Sequence, residues 1–177
     1  STTTVAYSSI AGALTDIRIG NSGPAAQSNV PVTFGQVFAQ GDIPSSNSVT
    51  GKLSDGTTVS LQVDAKATHP DGSLRHGIIS AVLPNLAAGQ TQTIGLVKGA
   101  AASRSPVVFS PADLTNAGFT ASVNVNLDGQ IYSASADALL KSGKYTTWLT
   151  GPVANEWLVS APLQTAQGVA HPHLTAR

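Results

Sequence analysis

The sequence predicts an all-β fold, a barrel or sandwich of short strands preceded by an extended N-terminal arm. Three observations predict it. Apolar residues recur with a two-residue rhythm along several stretches. Turn signals such as Asp55-Gly56 and Asp128-Gly129 separate those stretches. Residues that build helical surfaces are scarce, Glu156 being the only glutamate, whereas Thr and Val, which suit a pleated surface, are abundant.

Composition bounds the rest. A chain of 177 residues fits one domain, or one domain and the beginning of another, and hides roughly 70% of its unfolded surface. Disorder is the rival explanation for so much Ser and Gly, but a hydrophobic content of 41% arranged in periodic runs opposes it. Without cysteine, disulfides and thiolate-ligated metals are excluded. Nine basic and nine acidic residues cancel, and no basic run could neutralise several phosphates, so nucleic acid is not an expected partner. No stretch approaches about 18 continuous apolar residues, so no membrane span is expected. The opening Ser-Thr-Thr-Thr-Val-Ala-Tyr has no signal-peptide pattern, and Ser1 is expected to follow a removed initiator Met.

Residues 1–29 are small and polar and read as the arm, with one short strand where Leu14, Ile17 and Ile19 recur. A domain over residues 30–177 follows. Its first strong strand is Val30 to Gln40, with Val30, Val32, Phe34, Gln36 and Phe38 on one face and Pro31 near the start, where a missing N–H is tolerated. Gly41 to Ser48 forms a loop. Val49 to Leu53, the Ser54-Asp55-Gly56 turn and Thr58 to Ala65 make a hairpin. A second turn, His69 to Ser73, leads into Leu74 to Leu83. Both faces of this strand become apolar after Gly77, the pattern of a central strand covered on both sides, and Pro84 is expected to end it. Thr91 to Val97 is the next strand, followed by an Ala/Ser/Gly linker from Gly99 to Ser105.

The clearest hairpin comes next. Phe119, Ala121, Val123, Val125 and Leu127 alternate with polar residues, Asp128-Gly129 turns, and Gln130 to Ala134 returns. Ala136 to Lys141 reads as a helical turn, and Tyr145 to Leu149 and Glu156 to Ala161 as strands. The last five residues open another strand, so the natural chain is expected to continue past Arg177. No repeat of fixed period is visible.

The densest polar cluster is His69, Asp71, Arg75 and His76. Its chemical reading is a metal site or a proton-transfer pair. Its structural reading, which weighs more, is a turn whose Asp71 side chain caps its own backbone. Arg75 and His76 are adjacent in a strand and point to opposite faces. His171 and His173 offer two imidazoles but need a third ligand, for which Glu156 is the only glutamate. Trp148 and Trp157, with Tyr145, make either a sugar-stacking platform or ordinary packing, the latter being the commoner use of aromatics. No nucleophile elbow, phosphate-cradling loop or privileged carboxylate pair is present. No catalytic residue, metal or cofactor is assigned.

The stretch from Val32 to Pro44, with its Phe-x-Gln-Gly-Asp-x-Pro loop, resembles the opening of the N-terminal RIFT-type β-barrel of rhamnogalacturonan exolyase/YetA-like proteins. Asp55-Gly56 with Leu61 to Asp64, the Pro70-Asp71-Gly72-Ser73-Leu74-Arg75-His76 run and Leu83-Pro84 continue the resemblance, which covers residues 30 to about 97. Trp148 to Pro152 and Glu156-Trp157, ahead of a His-Pro segment, are similar to that family's pattern too. The resemblance implies a barrel preceding a helical toroid, which carries most of the polysaccharide-cleaving site in full-length lyases. Related barrels also suit phage tail and adhesion proteins.

These readings combine into a non-enzymatic attachment module of a phage tail or adhesin. Its expected partners are further copies of itself or neighbouring virion proteins, and its expected location is virion or extracellular. Asp42, Asp71 and Arg75 would fix barrel loops, Arg75 pairing with Asp42 or Asp71. The alternatives are an accessory domain of a polysaccharide lyase acting on uronic-acid-containing glycans, and a free-standing carbohydrate-binding module. In both alternatives a glycan would meet Arg75, His76, Trp148 and Trp157.

Overall fold

A computed structural model describes residues 10–100 and 109–177. The chain divides into two compact units, Ser1–Arg104 and Ser105–Arg177.

Among the described residues the first unit contains seven strands: β1 (Thr15–Gly20), β2 (Gln27–Val37), β3 (Asn47–Leu53), β4 (Thr58–Val59), β5 (Leu61–Thr68), β6 (Leu74–Leu86) and β7 (Thr91–Ala100). They form two antiparallel sheets, ordered β1-β7-β3-β4 and β2-β6-β5. The single run expected from Thr58 to Ala65 breaks at Ser60. Val59 pairs with Gly51 in one sheet, and Leu61 pairs with Ala81 in the other. The break lets one stretch of chain serve both sheets. Val59 and Leu61 both join the core around it.

That core follows the alternation read from the sequence. Val30, Val32 and Phe34 lie opposite Leu83, Ala81 and Ile79, and Leu61 and Val63 flank the other side of β6. Val49, Leu53, Ile94 and Leu96 meet them from the second sheet. Ile79, Ala81, Leu83, Ile94 and Leu96 are all 0% exposed.

The strand expected within the arm is β1, which pairs with β7 from Thr15↔Leu96 to Gly20↔Thr91. Just before it, Ile10 is buried over β7. A Cβ placed on Gly95 would stand 2.7 Å from the Ile10 Cβ, so this close approach requires glycine. Asn21 ties the β1–β2 connection to the end of β6. Its Nδ2 lies 3.0 Å from the Leu86 carbonyl oxygen and 3.1 Å from that of Ala87.

Two expectations for β6 are corrected. Its outer face is only partly covered: Ser80 is buried and hydrogen-bonded to Thr33 Oγ1 at 2.9 Å, but Val82 is 42% exposed. Nor does Pro84 end the strand, which runs to Leu86. The β5 ladder stops at Leu61↔Ala81, so Pro84 lies beyond it and its missing N–H deprives β5 of nothing.

The second unit contains α1 (Pro111–Asn116), β8 (Ser122–Leu127), β9 (Gln130–Ser135), α2 (Ala136–Lys141), β10 (Tyr145–Leu149), β11 (Glu156–Val159), β12 (Ala161–Gln164) and β13 (Ala170–Ala176). Its sheets are ordered β13-β12-β9-β8 and β10-β11. The β8–β9 turn has φ of 49° at Asp128 and 84° at Gly129, the positive pair that a tight hairpin demands. The helix α1 was not expected. Its signal was present in Ser110-Pro111-Ala112-Asp113: the Ser110 hydroxyl accepts from the Asp113 N–H, and the Asp113 carboxylate accepts from the Ser110 N–H. The run expected from Glu156 to Ala161 splits at Ser160 into β11 and β12. Residues 1–9, the start of the arm, lie outside the described residues, as does the expected linker from residue 101 onward.

Candidate functional site

In the first unit, the loop after β2 and the β5–β6 turn fasten to each other. The Phe38 N–H donates to the Arg75 carbonyl oxygen at 2.9 Å, and the Leu74 N–H donates to that of Ile43 at 2.8 Å. Between them, the Gly41 N–H donates to Ser73 Oγ at 3.0 Å, and Ser73 Oγ donates to Asp71 Oδ1 at 2.6 Å. His69 Nε2 adds a bond to the Phe38 carbonyl oxygen at 3.0 Å; because that oxygen can only accept, the imidazole donates. Ser73 is 2% exposed, and Ile43 and Phe38 are buried beside it, so the clasp closes one end of the hydrophobic core.

Each acidic residue of the clasp serves its own turn. Asp42 Oδ2 accepts from the Ala39 N–H at 3.0 Å. Asp71 Oδ1 also accepts from the Ser73 N–H at 3.0 Å, while Gly72 takes a φ of 82° that favours glycine. The Ser73 hydroxyl, followed by its N–H and more weakly the Gln40 side chain and His69, holds the Asp71 carboxyl below its ordinary value.

The expected pairing of Arg75 with Asp42 or Asp71 does not occur. Both carboxylates are engaged by neighbouring N–H groups and the Ser73 hydroxyl, and Arg75 is exposed, meeting the clasp only through its backbone. His76 is half-buried. Its ring packs over Gly35 of β2, with Nε2 3.4 Å from where a Cβ on that glycine would stand. Sequence reasoning put weight on Arg75 and passed over Ser73, which the Pro-Asp-Gly-Ser turn had marked as the residue able to receive the Asp71 side chain.

In the second unit, the two-stranded ribbon β10–β11 carries the tryptophans. Thr147 pairs with Trp157 and Leu149 with Glu156, and the register shifts at Trp148, which sits at a bulge and is 40% exposed. A bulge of this kind re-aims a side chain. Tyr145 is opposite Val159 and so shares a face with Trp157; Tyr145 is 37% exposed. The Trp157 ring packs against Phe109 with centroids 6.5 Å apart. The loop joining the two strands is braced by Asn155, whose side chain accepts from the Gly151 N–H at 3.1 Å and donates to the Gly151 carbonyl oxygen at 2.9 Å. Arg75 and His76 therefore belong to one unit, and Trp148 and Trp157 to the other. Among the described residues, no group of three His, Asp or Glu side chains is placed to hold a metal.

A family model for the PcRGLX-like N-terminal RIFT barrel domain matches residues 18–106. The chain belongs to this family. The match begins within β1 and runs past the end of β7, so it spans both sheets of the first unit and the whole clasp. No curated protein and no solved structure matches the chain. In RIFT-barrel terms, the clasp joins the Phe-x-Gln-Gly-Asp-x-Pro loop to the Pro-Asp-Gly-Ser-x-Arg turn, the two sequence features that carried the resemblance.

Proposed function

We propose that this chain supplies the N-terminal accessory RIFT barrel of a polysaccharide lyase-like protein acting outside the cell on uronic-acid-containing glycans. The observation that carries this reading is the family match over residues 18–106. The side chains of Asp42, His69, Asp71 and Ser73 are engaged in closing the barrel's end, which suits a supporting role for the clasp. Glycan contact is assigned to the aromatic ribbon, where Trp148, Tyr145 and the Phe109–Trp157 pair offer flat apolar surfaces beside solvent. Arg75, exposed at the clasp, and His76 beside it are second candidates for a uronate contact.

The phage tail or adhesin setting, with a self-assembling or virion partner, rests on related barrels and on a low-charge, Ser- and Thr-rich composition. The accessory-domain reading fits the family better. It also differs from a free-standing carbohydrate module in one measurable respect. A protein carrying this domain should release unsaturated uronate from pectic glycans, detected by its absorbance; binding without release would favour the free-standing module. In the chain itself, Trp148→Ala should weaken oligogalacturonide binding by about 1 kcal/mol, a factor of about five in Kd by calorimetry. Unchanged binding in that variant would remove the ribbon from the glycan site.

A further inference from the structure

Four residues of β13, His171 to Leu174, stand opposite the single Leu163 of β12, because the ladder pairs Pro162 with Thr175 and Gln164 with Ala170. So wide a bulge frees its side chains from the sheet's alternation. His171 uses that freedom to turn back on the bulge. Its Nδ1 accepts from the backbone N–H of His173 at 3.2 Å and of Leu174 at 3.1 Å. A neutral imidazole carries one N–H, so with Nδ1 accepting, the proton resides on Nε2. Nε2 has no protein partner among the described residues and is not sealed from solvent. Tyr132 of β9 lies edge-to-face with this ring at 4.9 Å, and the His173 ring lies 6.2 Å away.

A metal is the obvious occupant for two neighbouring imidazoles, and this geometry opposes it. A metal on Nε2 would require the remaining proton on Nδ1, pointing at two N–H donors. The arrangement selects an oxygen acceptor instead. We propose, resting on the glycan reading above, that His171 is a ligand-facing donor fixed in the Nε2–H form. With Tyr132 and His173 beside it, it takes a carboxylate or hydroxyl oxygen of an acidic sugar, a contact separate from the Trp148 ribbon.

The test combines nitrogen-15 correlation spectra of the histidine side chains with titration of an oligogalacturonide into the full chain. The expected spectrum of His171 is that of the Nε2–H tautomer, and its resonances should move on addition of the sugar. His171→Asn keeps an acceptor for the two backbone N–H groups but withdraws the distal donor. It should therefore keep the melting temperature and lose about tenfold in affinity, whereas His171→Phe should lose both. An Nδ1–H tautomer, or full affinity in the Asn variant, would overturn the proposal. Sugar binding that perturbs Trp148 but not His171 overturns this inference and leaves the proposed function standing. Absence of binding by the wild type overturns both. Should the Asn variant melt early, the wild-type His171 resonances decide alone.

Discussion

The two units differ in how they use their apolar residues. Among the described residues, thirteen buried hydrophobic side chains, from Ile10 to Leu96, belong to the first unit, and only Leu140, Leu149 and Leu163 to the second. Exposure runs the other way. Leu14, Val37 and Val82 are the first unit's large exposed hydrophobics, against eight in the second, including Phe109, Val123, Ile131 and Trp148. Both units show clear strand alternation, so the difference does not lie in local pattern. It lies in whether a second sheet supplies apolar side chains to meet the first. In the barrel, Ile79 and Leu83 are met by Ile94 and Leu96. On β8, Val123 and Leu127 alternate as cleanly and remain 41% and 37% exposed. Periodicity establishes a face; burial requires a counterpart.

The sharpest way to break this contrast is a truncation in each unit. Ile79→Ala, at a fully buried site between β2 and β5, should cost about 2–5 kcal/mol of unfolding free energy in urea. Leu163→Ala in the second unit should fall at or below the low end of that range, since fewer buried neighbours would line the cavity. Equal losses would erase the distinction.

A smaller effect tests the clasp. Ser73→Ala removes the acceptor of the part-buried Gly41 N–H and should cost about 1 kcal/mol. It should also alter the acid limb. The folded state holds the Asp71 carboxyl below 3.8, chiefly through the Ser73 hydroxyl, so its contribution is complete at neutral pH and is lost as pH falls through the lowered value. Without the hydroxyl there is less to lose, and the gap between wild type and variant should narrow on acidification below about pH 4. A gap that widens in acid would contradict the assignment. The smallest effect belongs to Arg75→Ala, expected within about 0.5 kcal/mol of wild type because the guanidinium is exposed and pairs with neither Asp42 nor Asp71. A large drop in melting temperature would restore Arg75 to the clasp.

Most of the barrel was legible. Val30 to Phe34 and Thr58 to Ala65 alternate, Leu74 to Leu83 turns apolar on both faces after Gly77, and Asp55-Gly56 and Asp71-Gly72 mark the turns on either side of β5. Its corner at Ser60 was not, because the alternation from Val59 to Leu61 continues undisturbed through the change of sheet; only the identity of the partner strand changes. The clasp was legible in part. Its residues stood out as a cluster, yet charge drew attention to Arg75 while a neutral serine made the joint. The His171 bulge was invisible for a different reason: four residues standing opposite one is a property of pairing, and His-Pro-His alone does not reveal what it faces.

The pairing of β1 with β7 has a consequence for synthesis. Its partners are separated by 71 to 81 residues, from Gly20↔Thr91 to Thr15↔Leu96. A ribosome adding about 5–20 residues per second leaves β1 waiting roughly 4 to 16 seconds for this neighbour to emerge. During that interval β1 is a nascent strand with both edges open. Charged side chains are a common means of blunting such an open edge, and β1 carries Asp16 and Arg18 interleaved with Ile17 and Ile19.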